Sequence, residues 1–474
     1  MNEPLQTLHL WRRRLSPAER LARSNRPEKL LLYSFLALIL TGSFLLNLPI
    51  ANLRPKVPYL DNLFVAVSAV CVTGLSTVTV AEQYSLFGRI VLILLMQAGG
   101  LGPMTIIAVL MQQTRRRMDT VEKKLFAATA GKSDLYDVPR YIRRIMLYTI
   151  VFEGIGFVLL SLRMTQIYGM GTGLFNALFL AVSAFTNAGF DCIASDSLVM
   201  FAGDPLVNMT VMLLIVTGGL GFVVWFELYD LIKSRLNSGN VFRRRHRYLS
   251  VHARIVLKTT AVLLVLGTVL FAILEGDNSG TLASMGKAEG LLACMFQSVT
   301  LRTAGFATVV IGRCSRPTLL LMCGFMLVGG SPGGTAGGIK TTTAAVLYAT
   351  ARNSLNEDKK DAVVEHRRIS PDLLKHAFMI LSLYVGILYV AIMLLCIFEP
   401  GKLLLSLIFE AFSAIATVGI STGITASLST LGKAVIMVLM FIGRLGPLSL
   451  YTAFHKAPRA RSHASYPDAD IIIG

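Results

Sequence analysis

Four short segments of this 474-residue chain resemble one another and recur at an almost constant interval. They are VCVTGLST around Gly74, FTNAGFDC around Gly189, LRTAGFAT around Gly305 and IATVGIST around Gly419, with the glycines 115, 116 and 114 residues apart. Each glycine follows a short stretch of related pattern: FVAVSA, FLAVSA, CMFQSV or FEAFSA. A period this regular marks one structural unit used four times and outranks any isolated motif.

The solvent around those units follows from composition. With 54% apolar and 15% charged side chains and a mean hydropathy of +0.63, the chain is too apolar to close around a water-soluble core. It reads as a polytopic, all-α membrane protein. A bilayer core needs roughly 20 mostly apolar residues in helix. Eight such stretches are expected, at about 30–50, 84–111, 144–163, 206–232, 255–275, 317–350, 375–398 and 430–454, in pairs flanking the glycine segments.

Orientation comes from the cations. Of 45 Lys and Arg, 32 fall in residues 1–29, 112–144, 233–254 and 352–376 and in the C-terminal tail, so these regions are expected on the cytosolic side, both termini included. The net charge of +18 is then topology plus attraction to anionic membrane lipids, with no nucleic-acid partner. The polar first 29 residues lack the plan of a cleaved signal sequence and are expected to remain as a cytosolic segment. Six scattered cysteines without a CxxC pair give no support to a metal site or a disulfide framework.

Between the spans of each pair lies an apolar stretch of about 12 residues, too short to cross a bilayer, then the glycine segment. This is the pattern of a re-entrant hairpin, in which a half-helix enters and an extended strand returns. Non-helical backbone survives at that depth only where protein or water surrounds it. Four such strands around an axis would line a pore. They read Val72-Thr73-Gly74-Leu75, Asn187-Ala188-Gly189-Phe190, Thr303-Ala304-Gly305-Phe306 and Thr417-Val418-Gly419-Ile420. None contains a carboxylate, so any cation would be coordinated by backbone carbonyls. The competing reading is that the glycines merely allow close helix packing.

The second spans also rhyme: QAGGLGPMT, TGGLGFVV, VGGSPGGTAGGIKTTT and IGRLGPLSL. Such glycine clusters interrupt helices. The third, Gly329, Gly330, Ser331, Pro332, Gly333, Gly334, Thr335, Ala336, Gly337 and Gly338, predicts a loop inside the membrane. It superficially resembles a phosphate-binding loop, but Ile339 separates Gly338 from Lys340 and no strand precedes it. Arg444 stands within an apolar span and aligns with Gly100 and Gly219. It is expected either to project toward the axis and repel cations or to pair with Glu153, Glu227 or Glu410. Arg302, beside a filter strand, is expected to brace carbonyls or meet a carboxylate. Lys340 is left between a gate role and cytosolic snorkelling.

The strings CVTGLST, TNAGF, RTAGF and ATVGIST, with their surrounding spans, resemble the superfamily of K⁺ transporters that includes the bacterial Trk and Ktr translocating subunits and the plant HKT proteins. The match covers about residues 30 to 455, and eight spans make the chain most similar to the Ktr membrane subunit. The resemblance implies four span, half-helix, filter-strand and span repeats in pseudo-fourfold arrangement around one K⁺ pore. It also implies a flux-obstructing loop at 329–338 and a flux-limiting arginine at 444. A homodimer and a cytosolic nucleotide-binding regulatory subunit of Ktr or Trk type are implied as partners, with the bacterial inner (plasma) membrane as location. Glycine at position 74, where serine accompanies Na⁺ transport in the family, favours K⁺.

The expected organisation is a cytosolic segment (1–29) and repeats at 30–111, 144–232, 255–350 (with the loop at 328–340) and 375–455. Cytosolic connections cover 112–143, 233–254 and 351–374, and a cytosolic tail covers 456–474. No cofactor is expected on this chain, K⁺ being the cargo. Na⁺ or ammonium transport on the same scaffold is the alternative. A membrane-embedded enzyme would need an acid–base pair, metal ligands or an activated nucleophile placed together, and no HExxH or GxSxG occurs.

Overall fold

The computed structural model describes residues 27–54, 57–102, 138–193, 196–236, 249–355, 363–365 and 367–454. Expectations for residues 1–26, 103–137, 237–248 and 455–474 lie outside the described residues.

Each repeat has the same three helical parts. The entering helices are Pro27–Leu46, Val138–Tyr168, Val251–Glu275 and Pro371–Phe398. The half-helices are Tyr59–Cys71, Met170–Thr186, Lys287–Thr300 and Leu404–Ile415. The returning helices begin at Leu86, Pro205, Arg316 and Thr430. Each returning helix starts behind a side chain that accepts a backbone N–H: Ser85, Asp204, Ser315 or Ser429. Such an N-cap satisfies donors that the first turn leaves unpaired. Glu275 and Glu399, at the ends of two entering helices, accept the backbone N–H of Ser315 (2.8 Å) and Ser429 (2.6 Å), so the carboxylates tie the helices of one repeat together.

The returning helices do not run through as single spans. Leu86–Leu101 ends at Gly102 (φ +82°), Pro205–Gly219 and Phe222–Arg235 meet at a bend of 101° beside Gly221 (φ +87°), and Thr430–Leu445 breaks at Gly446 (φ +82°). The apolar stretches 206–232 and 430–454 are thus helices interrupted at their glycine clusters. These glycines stand at the same place in the motifs GLG, GLG and RLG, and positive φ is the conformation that a residue without Cβ adopts cheaply. In the third repeat the helix Arg316–Leu327 stops altogether and resumes as Thr341–Ser354.

Burial is arranged as a bilayer requires. The half-helices lie at the centre, with Phe64, Phe179, Phe296 and Phe409 fully buried. The entering helices turn apolar side chains outward, among them Leu40, Phe44, Ile150, Val158, Val265, Ile273, Val390 and Ile397. An exterior this apolar is stable against lipid and not against water.

Candidate functional site: four glycine strands and the loop beneath them

The first, second and fourth half-helices end alike. The N–H of Thr73 reaches the Ser68 carbonyl (2.9 Å) and that of Val72 the Ala69 carbonyl (3.2 Å). Ala188 and Asn187 bond Ser183 and Ala184 in the same way, as do Val418 and Thr417 with Ser413 and Ala414. This is the paired-bond helix stop that normally places glycine in the left-handed position. Here that position holds Val72 (φ 56°), Asn187 (φ 60°) and Thr417 (φ 52°), with Thr303 (φ 67°) as the third repeat's counterpart. A β-branched residue in this region costs about 1–3 kcal/mol. Two residues on, Gly74, Gly189, Gly305 and Gly419 also have positive φ, between +71° and +97°. Each strand thus carries two left-handed residues at matching positions.

The four glycines are neighbours. A Cβ added to Gly74 would stand 2.8 Å from the Ala188 oxygen, one on Gly189 2.7 Å from the Ala304 oxygen, and one on Gly305 2.7 Å from the Val418 oxygen. One on Gly419 would overlap the Thr73 oxygen. The contacts run from repeat one to two, three, four and back to one, so four carbonyls, each from the residue before its glycine, are gathered in one ring. The side chains at Val72, Thr73, Leu75, Asn187, Ala188, Phe190, Thr303, Ala304, Phe306, Thr417, Val418 and Ile420 are all buried in protein. The hydroxyls of Thr73, Thr303 and Thr417 have no hydrogen-bond partner among the described residues.

Two serines brace this backbone from behind. Ser68 and Ser413 accept the N–H of Gly74 and Gly419, each at 3.0 Å. Sequence reasoning did not single them out, although a serine six residues before three of the four glycines was there to be read. Glu410, wholly buried, accepts hydrogen bonds from Ser421 and Thr425 (3.1 Å) on the strand leaving the fourth glycine. Beyond the glycines opens a cavity of about 380 Å³ lined by all four repeats, with Asp191 and Asp196 among its walls. Burial pushes the thiol of Cys192 up to about 12, and neighbouring Asp191 acts in the same direction.

On the other side of the strands lies the loop 328–340. It is closed at its neck by hydrogen bonds from Gly329 N–H to Ile339 O (2.9 Å) and from Ile339 N–H to Leu327 O (3.1 Å). Ser331 and Thr335 donate backbone N–H groups to Gly219 and Gly218, and Phe222 donates to Gly333, so the loop fills the break in the second returning helix. Thr335 Oγ1 donates to the Phe185 carbonyl at 3.1 Å. A Cβ on Gly337 would overlap Thr417 Oγ1, and one on Gly329 would stand 3.0 Å from Thr303 Cγ2, which places the loop directly against the bases of the glycine strands.

Arg444 holds the loop from the opposite side. Its Nη1 donates to the Thr335 carbonyl, and its Nη2 to the carbonyls of Gly99 and Gly100 (3.1 Å to the latter). None of the three carboxylates considered from sequence is its partner. Glu153 accepts from Gln97 (2.6 Å), Glu227 from Ser250 (2.8 and 2.9 Å), and Glu410 as described. Lys340 Nζ donates to Ala336 O at 2.7 Å, within the loop itself. Arg302 departs from expectation. It is 5% exposed, and its Nε and Nη2 have no hydrogen-bond partner among the described residues, neither carbonyl nor carboxylate.

Comparison with known proteins agrees with this architecture. The sequence profile of the family described as TrkH, cation transport protein, matches residues 10–465. The chain is 37% identical over 446 residues to Ktr system potassium uptake protein B of Vibrio alginolyticus, covering 94% of each. It is 35% identical over 448 residues to the protein of the same name from Bacillus subtilis, covering 94% of this chain and 97% of that one. It is also 33% identical over 453 residues to the potassium/sodium uptake protein NtpJ of Enterococcus hirae, covering 94% and 97%. The crystal structure of the potassium transporter TrkH from Vibrio parahaemolyticus superimposes with a TM-score of 0.71 at 17% identity, over 91% of this chain and 85% of that one. All these relatives are named as transport proteins and none as an enzyme. A chain that follows that family over residues 10–465, and whose fold matches a solved member, belongs to the TrkH family of cation transport proteins.

Proposed function

We propose that this chain takes up potassium across the bacterial inner membrane through a pseudo-fourfold pore. Its selectivity filter is the ring at residues 72–75, 187–190, 303–306 and 417–420. The observation that carries the reading is the head-to-tail contact of the four glycine strands, which gathers one carbonyl per repeat. A monovalent cation sheds water only where oxygens replace it, and fixed carbonyl dipoles do this without a net charge that would hold the ion too tightly. The relatives named as potassium uptake proteins agree in substrate.

The loop Gly329–Gly338 is the gate. It sits against the filter bases and is anchored by hydrogen bonds that can exchange for water. Arg444 limits flux in two ways: its charge repels cations at the filter exit, and its fork ties the loop to the first repeat. A second copy of this chain and a cytosolic nucleotide-binding subunit of the Ktr or Trk type are the expected partners. The distribution of Lys and Arg supports a cytosolic position for both termini.

The test is uptake of Rb⁺ by proteoliposomes containing the purified protein under an outward K⁺ gradient. Competition by K⁺ and not by Na⁺ or ammonium is the expected result. Gly74→Ser should weaken the preference for K⁺ over Na⁺; equal preference in variant and parent would remove Gly74 from the filter.

A further inference from the structure

Glu153 is an ionisable group that neither filter nor gate uses. Glu153 lies within one residue of the midpoint of the span Arg140–Tyr168, where an isolated carboxylate is costly and usually functional. Its partner is Gln97, whose Nε2 lies 2.6 Å from both carboxylate oxygens. Among the described residues, the elements around it supply no counter-ion. The half-helix Met170–Thr186 and the helix Pro205–Gly219 carry no titratable side chain. Arg89, the charged residue of Leu86–Leu101, is committed to the Tyr84 and Ala81 carbonyls. On the bent continuation Phe222–Leu236, Glu227 and Asp230 line a separate cavity with Arg140 and Arg144, while Lys233 sits over the Tyr229 ring. On its own helix, Tyr148 packs against Phe226 and Tyr229, and Arg163 pairs with Asp204.

A second observation bears on the same pair. Gln97 Oε1 is buried and has no hydrogen-bond partner among the described residues, a state that is costly for a polar atom out of reach of water. A proton on Glu153 would give that orphan oxygen a donor. In the ionised state the carboxylate accepts from Nε2. In the protonated state one oxygen still accepts from Nε2 and the other donates its O–H to Oε1, so every polar atom of the pair is satisfied. The two states differ by one proton and a small rotation of the Gln97 amide. A metal ion fits less well, because an N–H donor already occupies the space in front of the carboxylate.

We propose that Glu153 and Gln97 form a proton-binding site inside the membrane, linked to the latch that holds the gate. The link is short. Gln97 is two residues from Gly99, whose carbonyl, with that of Gly100, receives Arg444, and Arg444 in turn holds Thr335 of the loop. Phe152, next to Glu153, stacks at 6.2 Å on Phe185, whose carbonyl receives the Thr335 hydroxyl. Loading a proton re-aims the Gln97 amide and shifts the carbonyls that grip Arg444. The regulatory half of the proposal rests on the reading of this chain as a gated cation pore; the binding half does not.

Two readouts separate them. Infrared titration of the detergent-solubilised protein from mildly acidic to mildly alkaline solution should show a protonated-carboxyl band that is lost in Glu153→Gln and shifted in Gln97→Leu. In proteoliposomes, Rb⁺ flux through the parent should change about fivefold or more over the same range, the size of a typical coupling between sites. Flux through Glu153→Gln should stay nearly constant. A band unchanged in Glu153→Gln would overturn the site, as would a carboxyl signal that follows Na⁺ concentration instead of pH. A parent flux flat with pH, alongside a normal band, would overturn the link to the gate. Absence of Rb⁺ flux from every protein at every pH would instead count against the pore itself.

Discussion

At the scale of single residues, two positions with the same backbone twist separate strain from crowding. Gly419 and Gly423 both have φ +94°, but a Cβ on Gly419 would overlap the Thr73 carbonyl while one on Gly423 meets nothing within 4 Å. Gly423→Ala should therefore cost only the left-handed penalty of about 1–2 kcal/mol and keep Rb⁺ flux close to that of the parent. Gly419→Ala adds a steric conflict inside the carbonyl ring and should abolish flux in protein that still purifies as a monodisperse species. Similar flux in both variants would mean that the ring has slack. The glycines themselves were legible in the sequence because they recur. Of their companions two residues earlier, Asn187 is a type that tolerates the left-handed region, but Val72, Thr303 and Thr417 were not legible, since valine and threonine signal strand or helix interior and give no hint of a left-handed turn. Only the surrounding burial overrules that preference.

At the scale of elements, the loop 328–340 is held by bonds from three directions, and Arg444 supplies the one that crosses from the fourth repeat. Arg444→Ala should raise Rb⁺ flux per molecule several-fold, because it removes both the charge and the tether. Arg444→Lys keeps the charge but cannot fork to Thr335 and Gly100 together, and its flux should fall between parent and alanine variant. Equal flux in all three would show that the loop is held without the guanidinium. The loop was readable from six glycines and a proline within ten residues, and the breaks at Gly102, Gly221 and Gly446 from the rhyme GLG, GLG and RLG. What Arg444 touches was not. Its partners are carbonyls 109 and 345 residues away, and a carbonyl carries no sequence signature.

At the scale of the whole molecule, the repeats must close on themselves, and the fourth is joined to the first. Lys433 on the last returning helix meets Asp61 on the first half-helix at 2.7 Å, with the two side chains 14% and 12% exposed. Breaking a largely buried pair on one side leaves an uncompensated charge and costs about 3–5 kcal/mol. Lys433→Met should accordingly lower the melting temperature in detergent by several degrees, and adding Asp61→Asn should restore much of the loss. If the single variant melts with the parent, closure does not depend on this pair. A link between residues 372 positions apart is invisible to periodicity. The fourfold period announced that equivalent units exist, and hydropathy announced the spans; which side chains weld the ring had to come from the fold.

The central claim is that the carbonyls of Thr73, Ala188, Ala304 and Val418 bind a dehydrated potassium ion at the meeting point of the repeats. The most direct measurement is anomalous diffraction from crystals grown with Rb⁺ in place of K⁺. A peak within coordination distance of those four oxygens, lost when Na⁺ replaces Rb⁺, is the predicted result. Rb⁺ density confined to other parts of the molecule, with that position empty, would contradict it.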